Sequence, residues 1–186
     1  MDPLALINKA SGPELIEAIV ELARSNDLAA LVCLEQFLKV REDHTLWKHE
    51  VPRLVCLALI SKGPVGIKTL LNALPHAPGS IYPTAIIEAI WSAAHGRLPA
   101  STMLRTLPPP ESLLAPLSQE TIDAAVTALH ALVLEAADNE DIFDPLINFI
   151  YLGNFFPEAA NLKFKVLSRR KFFVFSQSRE YASQLV

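Results

Sequence analysis

Apolar residues recur at helical spacing in successive blocks of this chain, and short polar or Gly/Pro-containing joints separate the blocks. Ser11-Gly12-Pro13-Glu14 is a capping-box pattern, in which a Ser hydroxyl and a Glu carboxylate each satisfy one free amide of a first turn. Leu15, Ile16, Ile19, Leu22 and Ala23 follow at the spacing of one helix face. Asn26-Asp27 ends that helix and caps the next, from about Leu28 to Val40, which is apolar nearly all round and so predicted to be buried between neighbours. A third helix is predicted over about Thr45–Ser61, with Pro52 inside it or at its true start.

Lys62-Gly63-Pro64 reads as a stop followed by a start, with Gly just past one helix and Pro in the first turn of the next, about Val65–Leu74. Pro83 opens a helix to Ala94 that His95-Gly96 closes. Residues 97–117 are irregular, with a triple proline, Pro108-Pro109-Pro110, that favours polyproline geometry, and with room for a short helix around Ser101–Leu107. Ser118 caps a long helix to about Ala137, and Asp144-Pro145 starts another that Gly153 ends. The body holds no Asn-Gly turn and no sustained alternation, so no strand pair is predicted there. The expected fold is all-α: seven or eight helices in antiparallel hairpins, stacked as a short α-solenoid or folded into an irregular helical bundle. Leu31, Cys33, Leu34, Phe37, Leu57, Ile60, Ile90, Trp91, Leu129 and Val133 are expected in its core.

Leu31-Val32-Cys33-Leu34 recurs as Leu54-Val55-Cys56-Leu57, 23 residues later. That step is about one helix of a two-helix repeat. On this echo and the helix spacing, residues 13–152 resemble HEAT and armadillo repeat proteins. The resemblance implies stacked hairpins and macromolecular binding; it carries over no functional residue.

Charge divides the chain more sharply than hydropathy does. Residues 1–160 carry 10 Lys and Arg against 19 Asp and Glu, whereas residues 161–186 carry 6 against 1. We therefore expect a helical domain over 1–160 and a basic, aromatic tail over 161–186 that docks on the domain. Lys163, Lys165, Arg169, Arg170, Lys171 and Phe172 are its candidate partner-binding residues. The longest apolar runs, Leu28–Leu34 and Leu54–Ile60, have seven residues each, too few to span a bilayer. Met1-Asp2-Pro3-Leu4 offers no basic region and no cleavage motif follows, so no signal peptide is expected; no Asn lies in a glycosylation sequon, and Cys33 and Cys56 sit in apolar runs as small hydrophobes. These features favour a reducing compartment, the cytoplasm.

Signatures of chemistry are lacking. Gly63-Pro64-Val65-Gly66-Ile67-Lys68-Thr69 looks like a phosphate loop, but Ile67 separates Gly from Lys and a helix replaces the strand, so it reads as a helix joint. His44 and His49 fall about 140° apart on a helix, off a common face. His76 falls in a loop, His130 reads as a partly buried helix residue rather than a base, and neither Cys is placed as a nucleophile. Glu135, Asp138, Glu140, Asp141 and Asp144 lack the spacing of a calcium loop and read as one helix end and the start of the next. No enzymatic activity, cofactor or metal is expected. The expected function is a non-enzymatic protein–protein interaction module, such as an adaptor, a scaffold or an inhibitor of the immunity type, with self-association left open. The alternative is a nucleic-acid-binding helical repeat that uses the tail, against which the acidic body counts.

Overall fold

The computed structural model describes residues 12–39, 50–79, 81–98 and 113–136, together with 139, 141, 142, 145 and 146. They form six α-helices: α1 (Gly12–Arg24), α2 (Leu28–Phe37), α3 (Glu50–Ile60), α4 (Pro64–Ala73), α5 (Ile81–Ala94) and α6 (Gln119–Glu135). A 3-10 turn, Leu74–His76, extends α4. No strand occurs among the described residues, and no helix there is long and apolar enough to cross a membrane. The chain divides into two units, Met1–Ala131 and Leu132–Val186.

In the first unit each of the first three helices packs against the next and against the one after it: α1 on α2 and α3, α2 on α3 and α4, α3 on α4 and α5. The centre is α3. Its residues from Val51 to Ile60 are buried except Arg53, and its broadest contact is with α5, where Tyr82 to Ala93 are buried apart from Thr84. Apolar residues all round suit a helix with neighbours on every side.

Local chemistry sets the joints. The Asp27 carboxylate accepts from Ala29 N at 3.0 Å and caps α2. Gly63 has φ +70°, the left-handed region that favours glycine, and its carbonyl accepts from Ile67 N at 3.1 Å to begin α4. Pro64 stands in the first turn, where its missing N–H costs no bond. Gly66 packs against α3 so closely that a Cβ would lie 1.7 Å from the Leu59 carbonyl oxygen. Both glycines of the phosphate-loop look-alike are thus committed to a helix joint.

At the end of α5, Gly96 has φ +67°, Gly96 N donates to Ala93 O at 3.0 Å, and Arg97 N donates to Ser92 O at 2.9 Å. This is a Schellman motif, with the glycine in the left-handed position. The Ser118 hydroxyl accepts from Thr121 N at 3.2 Å and caps α6. The first turn of α6 sits over two of these turns: a Cβ on Gly63 would lie 3.4 Å from Thr121 Oγ1, and one on Gly96 would lie 3.6 Å from Ile122 Cδ1.

Several expectations change. The helix α5 begins at Ile81, two residues before Pro83, because a proline fits anywhere in a first turn where no N–H is needed. Pro52 lies near the start of the described span Glu50–Ile60, one of the two places expected for it. Leu31 is only half-buried, and α2 is not buried all round: Leu28 is 71% and Val32 47% exposed. The physical reason is that α2 packs on α1, α3 and α4 through Ala30, Cys33, Leu34 and Phe37 and turns its other side outward. Cys33, Leu34, Phe37, Leu57, Ile60, Ile90, Trp91 and Leu129 are buried as expected.

In the second unit Asn139 N donates to Glu135 O at 3.0 Å, and the Asn139 carboxamide oxygen accepts from Asp141 N at 3.0 Å. Glu135 and Asp141 are both exposed. Of the helix expected from Asp144-Pro145, residues 145 and 146 are described, and both are helical. The Val133 side chain, Asp138, Glu140 and Asp144, residues 40–49 with His44 and His49, residues 99–112 with the triple proline, and residues 147–186, which include the tail, lie outside the described residues.

Candidate interaction surface

The joint between α1 and α2 is a three-residue turn, Ser25-Asn26-Asp27, held on both sides. The Ser25 hydroxyl accepts from Asp27 N at 3.2 Å. From the α3–α4 joint the Lys62 ammonium donates to Ala23 O and Ser25 O, carbonyls that the end of α1 leaves without helical partners. A cation there also complements the negative end of the helix dipole. Partial burial holds the Lys62 pKa below its ordinary value.

A groove of about 260 Å³ opens between α1 and α2. Ala18 and Leu22 line it from α1, and Ala29, Ala30 and Cys33 line it from α2. Small side chains on both helices keep it open. Glu21 stands at one edge and Asp27 at the end. Outside Glu21, Glu17 is exposed one turn away on α1. Outside Ala29, the exposed Val32 and Leu28 continue the α2 wall as an apolar edge. The surface thus has an acidic edge and an apolar edge, with a rigid turn at one end.

The most strongly perturbed ionisable groups lie in the interior instead. Arg53 of α3 and Glu88 of α5 form an ion pair, Nε to Oε2 3.8 Å, with the Glu88 side chain 10% exposed. Burial pushes the Glu88 carboxyl up from its ordinary 4.5 to about 7, and the Arg53 charge opposes part of that shift. Cys56 is also buried: burial first, and then the Glu88 charge, push its thiol far above the ordinary range, with Arg53 opposing. A thiol held protonated is a poor nucleophile. The described residues contain no group of three or more His, Cys, Asp or Glu placed to hold a metal ion. His76 and His130 are exposed and lie on separate elements, and both cysteines are buried and outside any disulfide.

The partner-binding residues expected from the sequence, Lys163, Lys165, Arg169, Arg170, Lys171 and Phe172, lie outside the described residues. The groove, Lys62 and the Arg53–Glu88 pair were missed by the sequence reading. One signal for the pair was present: Arg53 and Glu88 each interrupt an otherwise apolar helical stretch. Comparison with protein-family models, with curated proteins and with solved structures finds no match.

Proposed function

We propose that this chain is a non-enzymatic protein–protein interaction module of the cytoplasm, an adaptor, scaffold or inhibitor, that uses a helical-repeat surface. The observation that carries this reading is the apolar edge of α2. Leu28 at 71% and Val32 at 47% exposure stand next to one another on a helix whose opposite side is fully packed. Contiguous exposed apolar surface marks contact sites. The adjoining groove adds a recess for an anchoring side chain, and the capped turn keeps its walls fixed, which limits the ordering that binding would require.

The repeat reading, with its likeness to HEAT and armadillo proteins, is supported by the packing order. Each helix of α1 to α3 touches the next two helices in the chain, whereas neither α1 nor α2 packs extensively on α5 among the described residues. Stacked hairpins produce nearest-neighbour contacts of this kind. Lys163, Lys165, Arg169, Arg170, Lys171 and Phe172 remain the tail residues we assign to partner contact.

The test is affinity capture from a native extract with the full chain and with a Leu28→Glu, Val32→Glu variant. A defined protein retained by the first and released by the second, at unchanged melting temperature, supports the reading. Equal retention by both removes α2 from the interface.

A further inference from the structure

The groove between α1 and α2 has two unlike edges, and one segment of this chain carries a matching pair. Glu17 and Glu21 are exposed on the α1 side, and Leu28 and Val32 on the α2 side. Each pair is four residues apart on a helix, a rise of about 6 Å. The three-residue turn between two packed helices makes them antiparallel, so that Leu22 and Ala29 lie nearer the turn and Ala18 and Cys33 farther from it. In the basic tail, Leu162-Lys163-Phe164-Lys165-Val166 alternates between cationic and apolar residues. In an extended peptide, alternate side chains point to opposite sides and recur about every 6.6–6.8 Å. An extended segment of this sequence therefore presents two ammonium groups on one edge and two apolar side chains on the other, at nearly the spacing of the groove.

We propose that the groove takes residues 161–166 of a second copy of this chain, with Lys163 and Lys165 against Glu17 and Glu21, and Phe164 and Val166 against Val32 and Leu28, respectively. This inference deepens the reading of the chain as an interaction module and rests on it. Charge decides which side of the segment faces α1, since the opposite edge offers it no carboxylate. Burial of Phe164 and Val166 against the exposed α2 side chains holds it in place. Small lining residues, Ala18, Ala29 and Ala30, leave room for the ring of Phe164. The acidic body and the basic tail then account for one another across copies.

The experiment is a charge exchange with the full-length chain. Sedimentation equilibrium is run over a hundredfold range of concentration for the wild type, for Glu17→Lys, Glu21→Lys, for Lys163→Glu, Lys165→Glu, and for an equal mixture of the two variants. The proposal expects self-association of the wild type, weakening by about tenfold or more in each variant alone, and recovery in the mixture, where each groove again meets a segment of opposite charge. Far-UV circular dichroism and thermal melting check that each variant is folded, and Glu17→Gln, Glu21→Gln replaces a charge reversal that fails that check. A wild type that stays monomeric throughout overturns the proposal, and so does a mixture that associates no better than its parts. If the Leu28 and Val32 face retains a different protein while the wild type stays monomeric, this inference fails and the interaction reading stands; if neither contact exists, both fail.

Discussion

Gly66 of α4 lies directly against the Leu59 carbonyl of α3, so that a methyl group added at position 66 would come within 1.7 Å of the oxygen and 2.6 Å of the carbon. Backbone cannot yield as the end of a flexible side chain does, so α4 must move away from the central helix. Gly66→Ala is expected to destabilise the chain by about 1–3 kcal/mol or more, the range for overpacking a well-filled interior. Urea denaturation measures this. A loss within about 0.5 kcal/mol, the usual range for surface changes, would mean that the two helices are not held this close.

The two sides of α2 should respond differently to the same kind of truncation. Leu34 is fully buried, so Leu34→Ala removes packed methyl groups and leaves a cavity, at a cost of about 2–5 kcal/mol. Val32 is 47% exposed, and Val32→Ala should stay within about 0.5 kcal/mol of the wild type in the isolated chain. Chemical denaturation of the two variants side by side decides the orientation of α2, and comparable losses would reverse it.

Stability should fall as pH rises across the neutral range because of Glu88. Its carboxyl is raised from 4.5 to about 7 in the folded chain, chiefly by burial. The folded state therefore binds more proton than the unfolded state between these values. The resulting stabilisation is fully present below about pH 4.5 and is lost as pH rises through about 7. A shift of this size corresponds to a change on the order of 3 kcal/mol, at 1.36 kcal/mol for each pH unit. Denaturation midpoints measured from pH 5 to 8 should decline in the wild type and flatten in Glu88→Gln. A Glu88→Gln variant with the wild-type slope would assign the pH dependence to another group.

Native-state thiol labelling should leave Cys56 unmodified. It is fully buried at the centre of α3, and burial keeps its thiol protonated. A maleimide reagent should reach it only at the rate of global unfolding, and the rate should rise with urea as unfolding does. Rapid labelling of Cys56 in the absence of denaturant would contradict the packing of α3 between α2 and α5.

Short-range features of the fold were legible in the sequence, and long-range ones were not. Asp27, Ser118, Gly63-Pro64 and Gly96 each act on backbone groups within five residues, so their residue types alone predict the caps and joints that form. The nearly all-apolar composition of α2 misled because it records how much apolar surface a helix has and not how much its neighbours cover. The central position belongs to α3, and α2 carries the excess as Leu28 and Val32. Lys62 reaches Ala23 and Ser25 from 39 and 37 residues away, and Arg53 meets Glu88 from another helix; nothing local encodes either pairing. The groove was hidden for the same reason, since it exists only once Ala18 and Ala29 face one another.

The most direct test of the interaction reading places a photo-crosslinking amino acid at position 32 of the full chain, with the same residue at the exposed position 72 of α4 as the control. After irradiation in a native extract, the account predicts a discrete higher-mass adduct from position 32, absent from position 72 and suppressed by Leu28→Glu in the same chain. Equal adducts from both positions, or none from position 32, would contradict the assignment of the α2 face as a contact surface.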